Sequence, residues 1–203
     1  MDKQQAGRIV VGITGASGSI YGIRLVHALL ESGCEVSLIL TAAGRRVLQY
    51  ELGLDWIAGS SNETLLLQKH FSSTAIVCLD IDDIGAAIAS GSAAPQAVVI
   101  APCSMGTAGR IAAGLSGNLL ERAADVMLKE RRPLLLVPRE TPLSVIHLEN
   151  LLRLANAGAI VLPAMPGFYH KPDSVDALTD FVVGKILDQL NISHRLFNPW
   201  DGK

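Results

Sequence analysis

Arg8-Ile-Val-Val-Gly-Ile-Thr-Gly-Ala-Ser-Gly-Ser19 is the stretch that decides the fold. Its first half is a short apolar, β-branched run with no polar face, the pattern of a strand buried on both sides in a parallel sheet. Glycines then turn the chain. From Ser19 the apolar positions Ile20, Ile23, Val26 and Leu30 keep a helical period until Gly33 stops it. Strand, glycine turn and helix start together aim backbone N–H groups and a positive helix end at one spot, which suits a phosphate or pyrophosphate. Ser17 and Ser19 add hydroxyl donors there. A tight turn with no ligand would use the same glycines, so this stretch alone specifies an anion and not its owner.

Outward from it, the same alternation repeats. Glu35–Leu40 reads as a second strand and Ala42–Gly53 as a helix; Ala97–Ala101 is a further buried strand. Gly117–Arg132 reads as an amphipathic helix and Pro133–Val137 as a strand, followed by a helix over Ser144–Ala157, a strand over Ala159–Pro163 and a last helix from Ser174 to Leu190. Leu54–Ser92 is the least legible part, with a short strand at Ala75–Leu79. Strands alternating with helices predict right-handed crossovers and one three-layer, doubly wound parallel α/β sheet, Rossmann-like or flavodoxin-like. The whole chain, 1–203, reads as a single domain with its core at 8–190 and a tail at 191–203. Ligands of such sheets sit beyond the carboxyl ends of the strands. The segments Thr14–Ser19, Thr41, Pro102–Thr107, Pro138–Thr141 and Ala164–Pro172 all follow strand ends, so they predict one site.

Spacing narrows the tenant. Gly12, Gly15 and Gly18 are evenly spaced by three, which breaks the GxGxxG dinucleotide pattern. The second strand ends Leu38-Ile-Leu-Thr-Ala, without an acidic residue for a ribose hydroxyl. Gly15-Ala-Ser-Gly-Ser19 lacks the final glycine of a nucleophile elbow, and no Gly-Lys-Ser/Thr marks a triphosphate loop. A mononucleotide cradle remains.

Composition agrees. With 49% hydrophobic and 4% aromatic residues, a large core of tightly packed layers is available. The net charge of -2 with scattered basic residues offers no footprint for nucleic acid. No apolar run reaches the roughly 18 residues of a membrane span, and no signal peptide is read. The three cysteines lack a CxxC pair and the five histidines lack HxxxH or HxH spacing, so reduced thiols, a cytoplasmic location and no metal are expected. The positive mean hydropathy suits a homo-oligomer with an extensive subunit interface.

Thr14-Gly-Ala-Ser-Gly-Ser-Ile-Tyr-Gly-Ile-Arg-Leu resembles the opening of the UbiX/Pad flavin prenyltransferases. So do Ala89-Ser-Gly-Ser, Pro102-Cys-Ser-Met-Gly-Thr, Glu121-Arg-Ala-Ala-Asp-Val-Met-Leu-Lys-Glu-Arg-Arg-Pro-Leu, Pro138-Arg-Glu-Thr-Pro-Leu and Pro166-Gly-Phe-Tyr-His, in family order. The resemblance implies an enzyme that joins a dimethylallyl group from dimethylallyl phosphate to N5 and C6 of reduced FMN without a metal. Its prenylated FMN would serve UbiD-type decarboxylases, and the assembly would be a large homo-oligomer, often a dodecamer. It implies Gly15, Ala16, Ser17, Thr41, Ser104, Met105, Gly106, Thr107 and Arg139 as the flavin's contacts. Arg122, Lys129, Arg139, Tyr169, Lys185 and Trp200 would hold the prenyl donor, and Ser17, Glu51, Lys129 and Glu140 would act in catalysis.

These residue types fit the chemistry. A departing phosphate needs cations and donors around it, which Arg, Lys and Tyr provide. Closing the second bond requires loss of a proton, for which a carboxylate is a suitable shuttle. Plainer roles exist: Lys129 could complement a helix end, Arg122 could pair with Asp125, and Lys185 could be an ordinary solvated lysine. A related cysteine-type decarboxylase is disfavoured because Ala164-Met-Pro-Gly-Phe-Tyr-His170 lacks that group's asparagine. A non-catalytic FMN carrier would not need the second set of cations.

Overall fold

The computed structural model describes residues 7–56, 62–200 and 202. In chain order its elements are β1 (Arg8–Ile13), α1 (Ser19–Glu31), β2 (Glu35–Leu40), α2 (Ala42–Leu52), α3 (Glu63–Phe71) and β3 (Ile76–Cys78). There follow β4 (Ala97–Cys103), α4 (Met105–Ala112), α5 (Leu119–Lys129), β5 (Leu134–Pro138), α6 (Val145–Asn156), β6 (Ile160–Val161) and α7 (Val175–Gln189). The strands form one sheet in the order β3-β2-β1-β4-β5-β6, with every pairing parallel. This is the doubly wound α/β architecture expected.

The period of two along β1 builds the layers. Ile9, Val11 and Ile13 enter the core that α1 and α7 cover, while Val10 enters the one beneath α4 and α5. All four are fully buried, and burying each such side chain contributes about 1.5–3 kcal/mol. Capping follows the sequence where a hydroxyl or amide is available. Thr41, Asn118, Ser144 and Ser174 each accept a backbone N–H in the first turn of α2, α5, α6 and α7.

Three differences from the expected elements have physical reasons. Met105–Ala112 is a helix, not loop, because Ser104 caps it and its small residues hide the helical period. Glu63–Phe71 is also a helix; part of the illegible stretch, residues 57–61, lies outside the described residues. The strand expected over Ala159–Pro163 shrinks to Ile160–Val161, which has a neighbour on one side only. Among the described residues, no helix is long and apolar enough to cross a membrane.

Candidate functional site

Strand order reverses between β1 and β4, and the crevice beyond such a switch point is where doubly wound sheets bind ligands. Thr14 closes β1 there. It is fully buried; its Oγ1 donates to Pro102 O at 2.8 Å and accepts from Ser104 N at 2.7 Å. The end of β2 joins through Thr41 N, which donates to Ile13 O at 3.1 Å. The helix α2 lies close because Gly44 has no side chain; a Cβ there would be 2.4 Å from Ile13 O. From β5, Arg139 N donates to Cys103 O at 3.3 Å and its Nε donates to Ser17 O at 2.9 Å. Four strand ends are thus joined.

The glycine turn is built to hold an anion, and one is present. Gly18 adopts φ 103°, a left-handed conformation that favours glycine, and caps α1 without a side chain. The Glu51 carboxylate, from α2, accepts the N–H of Gly18 at 3.1 and 3.0 Å and that of Ser19 at 2.9 Å. Partial burial pushes the Glu51 carboxyl up, but hydrogen bonds from Ser17, Ser19 and Gly18 outweigh it, so its pKa lies below the usual 4.5. A carboxylate of the chain itself therefore shows what this helix end prefers.

Around this anchor stand the other expected flavin contacts. Ser104 Oγ accepts from Thr107 N at 3.3 Å and donates to Thr107 Oγ1 at 3.1 Å. Ala16, Met105 and Thr107 are buried, whereas Gly15, Ser17 and Gly106 are exposed. Arg139 uses only Nε among the described residues, which leaves its two terminal nitrogens as donors for a ligand. Backbone N–H groups, hydroxyls and one guanidinium form a donor set suited to a mononucleotide phosphate. Burial pushes the Cys103 thiol up to about 12; it is a packing residue at this strand end, without a thiolate at neutral pH.

A second region lies on α7. Tyr169, Lys185 and Trp200 line one groove of about 630 Å³ together with His194 and Phe197. Tyr169 and Trp200 meet edge-on with ring centroids 5.8 Å apart. Thus three of the six residues expected at the prenyl donor are brought together, while Arg122, Lys129 and Arg139 are not among the groove's lining, nor are any of the glycine-turn residues.

Other expected residues fall elsewhere. In one chain Lys129 is the last residue of α5, which descends to the start of β5, so it sits at the opposite edge of the sheet from Ser17. Its Nζ pairs with Glu130 Oε1 at 2.5 Å. Arg122 is tied to Ala89 O at 3.1 Å and to Asp125 at 2.7 Å. The expectation that these two cations join Arg139 is therefore not met within a single chain: the crossover helix carries Lys129 away, and Arg122 is engaged by Ala89 and Asp125. Glu140 is exposed beside Arg139, and its carboxylate accepts Thr141 N at 3.0 Å. Asp188 and His194 carried no signal in the sequence. Thr14 entered only as the first residue of the expected segment Thr14–Ser19, and its signal was that of a polar residue closing an apolar strand.

The fold and this site define a flavoprotein-type α/β protein: the Flavoprotein family's sequence profile matches residues 1–187, and the chain belongs to that family. Within it, the chain is 51% identical to the flavin prenyltransferase UbiX of Halalkalibacterium halodurans, over 96% of this chain and 93% of that one. Among solved structures it resembles AnUbiX in complex with FMN and dimethylallyl pyrophosphate, at 38% identity and a TM-score of 0.85, covering 97% of this chain and 98% of that one. It is equally close in shape to a dodecameric FMN-dependent UbiX-like decarboxylase from Escherichia coli, at 37% identity and a TM-score of 0.85, with coverage of 96% and 100%.

Proposed function

We propose that the chain is a metal-independent flavin prenyltransferase, which joins a dimethylallyl group from dimethylallyl phosphate to N5 and C6 of reduced FMN. The reading rests above all on the anion-binding end of α1, which holds the Glu51 carboxylate at the sheet's switch point with Arg139 across it. Gly15, Ala16, Ser17, Thr41, Ser104–Thr107 and Arg139 would hold FMN, whose reduced ring supplies the nucleophilic nitrogen and carbon. Tyr169 and Lys185 would bind the donor's phosphate, stabilising the charge that grows on it as the carbon–oxygen bond breaks. Aromatic faces such as Trp200 suit the allylic fragment, which carries positive character. Glu51 and Glu140 would move the protons released as the two bonds form.

Arg122 and Lys129 are exposed enough to serve a neighbouring chain: their side chains are 35% and 47% accessible. Two cations that do not join the groove's lining in one subunit can reach the phosphate of another, so a homo-oligomer reconciles their placement with their role. The product would pass to a UbiD-type decarboxylase in the cytoplasm.

The test is mass spectrometry of the flavin after anaerobic incubation with reduced FMN and dimethylallyl phosphate. The expected result is a flavin heavier by one prenyl unit. Unchanged FMN with both the monophosphate and the pyrophosphate would overturn the reading. Flavin binding that ignores the donor altogether would point instead to a carrier.

A further inference from the structure

The groove on α7 has one wall that is not part of the sheet domain's regular elements: the C-terminal segment that follows α7 and carries His194, Phe197 and Trp200. What holds this wall in place is specific. Gly184 lies inside α7, where glycine is less favourable to the helix than alanine. A Cβ there would lie 2.4 Å from Phe197 Cε1 and 2.7 Å from His194 Cε1. The missing side chain is therefore a notch into which both rings fit.

Hydrogen bonds then tie the segment to the helix. Leu196 N donates to His194 Nδ1 at 3.2 Å, which leaves the ring proton on Nε2. That nitrogen lies 3.1 Å from Asp188 Oδ1, and Lys185 Nζ donates to the other carboxylate oxygen at 3.0 Å. Partial burial pushes the Asp188 carboxyl up, but its hydrogen bonds with Lys185 and His194 outweigh this and hold it below the ordinary value. Lys185 Nζ also stands 5.8 Å over the Phe197 ring. A lysine with a free side chain loses rotamer entropy when it is fixed. Here Asp188 and Phe197 restrict it before any ligand arrives.

We propose that Gly184, Asp188 and His194 form a latch that seats the C-terminal segment on α7 and aims Lys185 and Trp200 into the groove. They are positioning residues, acting through the two groups that face the ligand. A half-exposed pair such as Lys185–Asp188 adds little stability, so its effect lies in orientation. The link to prenyl transfer rests on the function proposed above, while the latch itself does not.

The test uses the FMN-loaded full chain carrying Trp56→Phe, which leaves Trp200 as the one tryptophan. Acrylamide quenching of Trp200 reports whether the segment is seated. Gly184→Val and His194→Ala are each expected to raise quenching and to raise KM for dimethylallyl phosphate about tenfold, which corresponds to ~1.4 kcal/mol. FMN affinity should not change. His194→Gln, whose amide can donate to Asp188 in place of the ring, should restore both values most of the way. The latch is overturned if Gly184→Val and His194→Ala leave Trp200 quenching unaltered. It is equally overturned as a positioning device if FMN affinity falls in step with KM, since that marks a general structural role. Should the unsubstituted protein form no prenylated flavin, the function fails by itself, and Trp200 quenching still reads the latch.

Discussion

The loops at the switch point and the groove on α7 are built in contrasting ways. At the loops, the backbone does most of the positioning: Thr14, Thr41, Ser104 and Arg139 are tied to one another's strand ends through main-chain atoms. In the groove, side chains position side chains, through Lys185, Asp188 and His194. The loops inherit rigidity from a fully paired sheet, whereas the groove depends on a segment that follows the last helix. An anchoring site for a bound flavin and an adjustable wall for a reacting donor are the roles these two constructions suit.

The contrast can be broken most forcefully at Gly44. Its missing Cβ faces a backbone oxygen, Ile13 O, which cannot rotate aside. Gly44→Ala should displace α2, cost about 1–3 kcal/mol of stability and weaken FMN binding by about 100-fold (~2.8 kcal/mol). Urea unfolding and a flavin fluorescence titration measure the two effects; intact FMN binding would mean that α2 does not set the loop's geometry.

A smaller, more selective effect is expected across the divide. Lys185→Met should raise KM for the prenyl phosphate about 10- to 100-fold, the worth of a charge-assisted hydrogen bond of ~1.5–3 kcal/mol. FMN affinity should stay within about twofold if the groove is independent of the loops. A parallel loss of FMN would erase the distinction between the regions.

The smallest effect concerns Glu51 and sharpens the account of the loop. Its folded pKa is depressed below 4.5, so the carboxylate's stabilisation is complete above the unfolded value and is lost as pH falls through the folded one. Glu51→Gln should flatten that acid limb of a stability–pH curve, with a change in Tm at neutral pH of only about a degree or two. An unaltered acid limb would show that other carboxylates govern it.

The elements that local pattern determines were legible. Glu35–Leu40 is apolar enough to specify β2 to the residue, and Ser144 announces α6 by its capping hydroxyl. Tyr169, Lys185 and Trp200, which the family resemblance grouped, line one groove, although only Tyr169 lies in one of the motifs that carry the resemblance. The helix α4 was not legible, because Met-Gly-Thr-Ala-Gly has too little apolar surface to display a period. Nor could spacing reveal that α5 carries Lys129 to the far edge, since its amphipathic pattern is the same whichever edge receives its end.

The sequence by itself determined the alternation of strands and helices, the anion-seeking turn at Gly15–Ser19 and the flavoprotein kinship, because each is written in neighbouring residues and their periods. Only the tertiary structure decided that Glu51 lies on the N–H groups of Gly18 and Ser19, 33 and 32 positions away, and that His194 and Phe197 fill the notch at Gly184. Those contacts depend on how whole elements pack, and packing couples residues that no local pattern relates.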